Sequence, residues 1–154
     1  MTVTGYGVIE FDRADIRLVD HGAIKPSSRK SIEKRIGEIY TQLGEVITRT
    51  APGVMVLEEL YSHYKHPVTA VLMGHVRGAA CLLASERGIP VVGYSATMVK
   101  KAVTGKGHAS KLQVQKMVRM LLGVRGELEP ADVSDAVALA MTYVRHDGKD
   151  EEFR

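Results

Sequence analysis

Val54-Met55-Val56-Leu57-Glu58-Glu59 decides the fold class. Four apolar residues in a row predict a strand buried on both faces. The run breaks abruptly into two carboxylates. Ile89-Pro90-Val91-Val92-Gly93-Tyr94 repeats the pattern and predicts a second buried strand. Between them, residues from about Val68 to Arg87 predict a helix carrying small residues (Ala70, Gly74, Gly78, Ala79, Ala80). Small residues permit close helix approach, which suits a central helix or a subunit interface. Strand, helix and strand in this order indicate an α/β unit.

Working outward, Val3–Phe11 and Ile16–Ile24 flank the short polar Asp12-Arg13-Ala14-Asp15, the pattern of an antiparallel hairpin. Ile32, Ile36, Ile39, Leu43, Val46 and Ile47 recur at threes and fours, predicting an amphipathic helix that ends near Thr50-Ala51-Pro52-Gly53. Beyond Tyr94, Ser95 suits the cap of a short helix over residues 96–103. Ser110 starts a helix carrying Val114, Met117, Val118 and Leu121. Pro130, at a first-turn position, opens a last helix running to about Arg145. The expected order is β-β-α-β-α-β-α-α-α with a mixed sheet.

At 154 residues, 45% hydrophobic and 25% charged, the chain predicts one globular domain, not a disordered segment. The expected domain is 1–146, followed by a charged tail at 147–154. No uninterrupted apolar run approaches the ~18 residues of a membrane span, so no membrane role is expected. No basic region followed by an apolar stretch opens the sequence, so no secretory signal is expected. The single cysteine, Cys81, excludes an internal disulfide and a cysteine-based zinc site, and fits a reducing cytoplasm.

The net charge of +3 hides an uneven distribution. Ser95 to Arg125 holds seven basic residues and no acid, whereas Gly126 to Arg154 holds eight acids against three basic residues. A basic block beside an acidic one suits a protein that grips a polyanion with one surface and holds cations with another. Two solvated helix faces of opposite sign would give the same count.

Three carboxylates are candidates for chemistry. Glu58 ends a strand, where open α/β sheets bind ligands. An isolated Glu-Glu there also fits plain solvent exposure. Asp132 and Asp135 are three apart, one turn apart on one helical face. Acids in a first turn also suit the helix dipole. Yet Asp135 leads into Ala-Val-Ala-Leu-Ala-Met, a stretch apolar enough to be buried, so the acid needs a cationic partner: a divalent metal, or Lys or Arg. Together the three can hold hard cations such as Mg²⁺, and two such ions clamp a phosphodiester undergoing hydrolysis. The histidines show no dependable ligand spacing, and Gly105-Lys106-Gly107 lacks the flanks of a Walker loop.

Several segments, in order and with matching spacing, resemble the RuvC family of bacterial Holliday-junction resolvases, within the RNase H-like superfamily. They are Val3-Thr-Gly-Tyr-Gly-Val-Ile9, Val56-Leu-Glu-Glu-Leu-Tyr61, Gly74-His-Val-Arg-Gly78, Val99-Lys100 with Gly105-x-Gly107, Lys111-x-Gln113-Val114-Gln115-x-Met117-Val118, and Ala131-Asp132-Val-Ser-Asp135-Ala136. Each is weak alone; jointly they are specific and run to about Tyr143.

The resemblance implies an RNase H-like mixed β-sheet flanked by helices. It implies a homodimeric, Mg²⁺-dependent endonuclease with two ions in the intact site, nicking four-way DNA junctions symmetrically in recombination and repair, with the branch-migration proteins RuvA and RuvB as partners. Glu58, Asp132 and Asp135 fall on three of four catalytic, metal-holding carboxylates. Lys100 and Lys111 fall on DNA-contacting positions near the scissile phosphate, and Lys106 joins them in the glycine-flanked loop. Tyr61 falls on an aromatic position that stacks on junction bases. The small-residue helix falls on the dimer interface.

One departure matters. The family places an apolar strand ending in Gly-Ile-Asp-Pro-Gly just ahead of the Val-Thr-Gly-Tyr-Gly segment, and this sequence begins at Met1-Thr2. The first, inner strand and its metal-bridging Asp are therefore missing from it. The expected consequences are unpaired strand edges and a hole in the core. One expectation is that Met1 is internal to a longer, active parent; the alternative is a non-catalytic module that binds junction DNA.

Overall fold

The computed structural model describes residues 3–13, 15–60 and 67–147. In chain order the elements are β1 (Thr4–Asp12), β2 (Asp15–Ile24), α1 (Ile32–Thr50), β3 (Met55–Glu58), α2 (Pro67–Glu86), β4 (Val91–Tyr94), α3 (Ala96–Thr104), α4 (Lys111–Leu122) and α5 (Ala131–His146). This is the order expected from the sequence, with boundaries shifted by a residue or two.

The strands form two separate pairs. β1 and β2 make an antiparallel hairpin running from Thr4↔Ile24 to Asp12↔Asp15, with a bulge between Val8 and Ile9. β3 and β4 are parallel, pairing Met55 with Val91 and Glu58 with Tyr94. Among the described residues no ladder joins β1 to β3. A groove of about 380 Å³ lies there, lined by β1, α1, β3, α2 and α5. Its walls are mostly aliphatic, and Glu58, Asp132 and Asp135 contribute to its lining. The sheet is thus divided where an inner strand was expected to be missing. Val54–Leu57 departs from its expected burial on both faces: these residues are half-buried, because one side of β3 opens onto the groove.

α5 holds the two pairs together by packing against β1, β2, β3 and β4. Val133, Val137, Ala138 and Met141 along it are fully buried, as the apolar run after Asp135 predicted. They join Tyr94, Val99, Val103, Val114, Val118 and Leu128 in the main core. β1 lies directly on α5: a Cβ added to Gly5 would sit 2.0 Å from the Asp132 carbonyl oxygen, and one on Gly7 2.4 Å from Val137 Cγ2. Glycine is needed here for close backbone approach.

The helix ends follow their sequence signals. Ser95 Oγ accepts from Met98 N at 3.2 Å, capping α3. Ser110 and Gln113 form a reciprocal capping box on α4, with Gln113 N to Ser110 Oγ at 3.2 Å and Ser110 N to Gln113 Oε1 at 2.8 Å. Pro130 is the N-cap of α5 and stands just outside the first turn where it was expected. Asp147, the first residue of the expected tail, is tied to the domain: its carboxylate accepts a hydrogen bond from the Tyr94 hydroxyl.

α2 corrects one expectation. Over Pro67–Glu86 it is long and apolar enough, by length and composition, to cross a membrane. Only a small share of it is buried, and Val68, Val71 and Leu82 are exposed. His75 and Arg77 interrupt the apolar residues, which is why no continuous run marked it in the sequence.

Candidate active site

The end of β3 is held from three sides. Glu59 N donates to Tyr94 O at 3.0 Å, extending the parallel pairing one residue past Glu58. Arg77 Nε, from α2, donates to the Glu58 carbonyl at 3.2 Å. Gly93 leaves room beside it, since a Cβ there would lie 3.1 Å from Glu59 Cγ and 3.6 Å from an Arg77 guanidinium nitrogen. Glu58 therefore stands at a fixed strand terminus, at the margin of the groove.

α5 supplies the other two carboxylates. Asp132 lies in its first turn and is exposed; Asp135, one turn on, is half-buried. Lys111, the first residue of α4, closes the group, with Nζ 2.7 Å from Asp135 Oδ2.

The charges interact. Desolvation by the groove walls, and secondarily the negative charge of Asp135, raise the Glu58 pKa above the usual carboxylate range, while Lys111 opposes the shift. The hydrogen bond to Asp135 is the main cause raising the Lys111 pKa, with further help from the charges of Asp135, Asp132 and Glu58. The negative charge of Asp135 beside Glu58 makes a place where a cation is favoured.

Among the described residues no three Asp, Glu, His or Cys side chains stand close enough to hold one metal ion. The oxygen-only donor set nevertheless suits a hard cation. Mg²⁺ is commonly held by one or two carboxylates, with waters and substrate phosphates completing its shell. Glu58, Asp132 and Asp135 fit that requirement, and Lys111 already supplies one positive charge among them.

Of the basic candidates, Lys111 reaches the carboxylates. Lys100 is half-buried on α3, and Lys106 is exposed in the α3–α4 loop, where its backbone N–H donates to Thr104 Oγ1 at 3.2 Å. Tyr61 lies outside the described residues. Sequence analysis missed the part played by Arg77; its signal was a lone guanidinium in an otherwise small and apolar helix.

Residues 1–143 match the family model described as crossover junction endodeoxyribonuclease RuvC. A Rhodopirellula baltica protein of that name is 43% identical over 141 residues, covering 92% of this chain and 79% of the relative. One from Alkaliphilus metalliredigens is 36% identical over 148 residues, covering 96% and 89%. The Thermus thermophilus RuvC structure superposes with a TM-score of 0.86 at 32% identity, covering 97% of this chain and 91% of that one. A second structure, T. thermophilus RuvC in complex with a Holliday junction substrate, gives 0.87 at 29% identity, covering 97% of each chain. With a family model matched over residues 1–143, relatives 43% and 36% identical over most of their length and a shared fold, this chain belongs to the RuvC family of crossover junction endodeoxyribonucleases.

Proposed function

We propose that this protein resolves four-way DNA junctions by Mg²⁺-dependent symmetric nicking, with Glu58, Asp132 and Asp135 as its catalytic carboxylates. The observation that carries the proposal is that Glu58 from β3 and Asp132 and Asp135 from α5 line one groove, with Lys111 paired to Asp135. Two elements distant in sequence bring like charges together, an arrangement with a cost unless a cation uses it.

In this mechanism Glu58, Asp132 and Asp135 would hold divalent ions, two of them in the intact site. When bound, such ions supply an activated water and neutralise charge on the leaving oxygen. Arg77 and the Glu59–Tyr94 pairing fix the backbone on which Glu58 stands. Lys100, Lys106 and Lys111 belong to the basic block and bind the DNA backbone, with Tyr61 stacking on junction bases. Water attacks the phosphorus, the bond to the 3′ oxygen breaks, and a proton ends on that oxygen.

The exposed stripe of Val71, Gly74, Gly78 and Leu82 on α2 supports a homodimer, because the glycines let a second helix approach closely. Two copies would place one site on each of two strands, as symmetric nicking requires. RuvA and RuvB would act on the same junction, and Cys81 as the single cysteine is consistent with work in the cytoplasm.

The test is nicking of a synthetic four-way junction in Mg²⁺ by the wild type, Glu58→Gln and Asp135→Asn. Loss of cleavage in both variants, with junction binding kept, is the expected result. Wild-type cleavage in either variant would overturn the assignment of roles. A wild type that binds junctions but cuts nothing would mark a binding module, which the dispersed carboxylates also allow.

A further inference from the structure

The position of Lys111 is not explained by the stability of its own helix. It is the first residue of α4, and the Ser110–Gln113 capping box fixes that start. A helix N-terminus carries partial positive charge, which disfavours a cation. The first turn of α4 contains no acid to compensate. What the ammonium gains is outside the helix: Asp135 Oδ2 at 2.7 Å, and the charges of Asp132 and Glu58 beyond it. Among the described residues no other Lys or Arg forms a salt bridge with any of these three carboxylates.

The pair is also built to part. The side chains of Lys111 and Asp135 are 59% and 45% exposed, so the four-carbon stem can swing away without disturbing the core. Exposed ion pairs are weak. A divalent ion on the same carboxylates would stand within a few ångströms of the ammonium, and the two cations would repel.

Resting on the proposed carboxylate site, we propose that Lys111 is a tethered counter-ion that occupies the cation position of the metal-free protein. It holds Asp135 until a divalent ion displaces it. The displaced ammonium, still anchored at the start of α4, is then free for an anionic oxygen of the substrate. Lys111 is thus a positioning residue whose two partners, carboxylate and phosphate, are taken in turn.

The test measures Mn²⁺ binding to the full chain without DNA, following free Mn²⁺ by electron paramagnetic resonance. Wild type is compared with Lys111→Met, Lys111→Arg and Lys106→Met, with circular dichroism confirming that each is folded. Removing the competing charge should tighten Mn²⁺ binding by about three- to tenfold in Lys111→Met. Lys111→Arg, which keeps the charge, should stay near wild type, and so should Lys106→Met. Equal or weaker Mn²⁺ binding by Lys111→Met, with binding by the wild type intact, would overturn the inference and leave the carboxylate site standing. No Mn²⁺ binding by any of the four proteins would remove the site itself, and the counter-ion with it.

Discussion

Gly5→Ala should be the most disruptive single-methyl change on the hairpin. An added Cβ would lie 2.0 Å from the Asp132 carbonyl oxygen, 2.2 Å from its carbon and 2.7 Å from Val133 N. All three are backbone atoms of the first turn of α5, so no side-chain rotation relieves the overlap. Ordinary contact begins near 3.4 Å, so β1 and α5 must separate by more than about 1 Å, and overpacking of this kind costs about 1–3 kcal/mol. The upper end applies because both partners are backbone. For a chain of this size ~3 kcal/mol lowers the melting temperature by roughly 6–12 °C. The same displacement moves Asp132 and, one turn on, Asp135, so junction nicking should fall by about tenfold or more, since misplacing catalytic groups by about 1 Å is costly. Scanning calorimetry and a cleavage time course read the two effects. Gly37→Ala is the control: it lies on the exposed face of α1 with nothing within 4 Å, and should stabilise by about 0.5–1 kcal/mol. A Gly5→Ala protein that melts within about 2 °C of wild type would refute direct backbone packing of β1 on α5.

Two further outcomes follow from contacts away from the carboxylates. Tyr94 is 4% exposed, and its pKa is raised chiefly by burial and then by the hydrogen bond to Asp147. A raised folded pKa means stability that is complete below the unfolded value near pH 10 and declines as pH rises beyond it. Tyr94→Phe should therefore cost about 1–2 kcal/mol at neutral pH and show a shallower alkaline decline in urea titrations than wild type; parallel declines would refute the coupling. On α2, Val71→Asp places a charge in the exposed apolar stripe. Light scattering should then report a monomer for the variant and the proposed homodimer for the wild type, with the melting temperature little changed because Val71 is 59% exposed.

Local signals made the elements legible in the sequence. The 3.6-residue spacing of Ile32, Ile36, Ile39, Leu43 and Val46 outlined α1, and Ser95 and Ser110 marked helix starts through capping groups the structure contains. Glu58, Asp132 and Asp135 were legible as candidates because each stands at an element terminus. Three features were not. The half-buried state of Val54–Leu57 depends on what lies beside β3, and an apolar run looks the same whether one face or both are covered. The apolar length of α2 was hidden by His75 and Arg77, whose accommodation depends on neighbours such as the Glu58 carbonyl. Lys111 was legible as a basic residue suited to DNA, but its bond to Asp135 joins the starts of two different helices, and no local pattern encodes that meeting.

The charge change near residue 126 acquires a physical meaning from that bond. In sequence it separates a block of seven basic residues from one rich in acids. In the fold α4 packs on α5, and the boundary becomes a line of contact between opposite signs. Lys111 meets Asp135 at 2.7 Å and Arg119 meets Glu127 at 3.6 Å. Both pairs are solvent-accessible and contribute little to stability, so they are poor reasons for the fold to exist. They are better understood as placement. On the proposed function, a surface for a polyanion is set directly against carboxylates for cations, and neither would bind its ligand without altering the field felt by the other. A phosphate drawn to the basic side would meet the Asp135 charge, which Lys111 offsets while the two stay paired. On the proposed exchange, a cation on Asp135 would take over that offset and free Lys111 at the same moment. Binding of metal and binding of DNA should therefore reinforce one another, through residues from two adjoining helices.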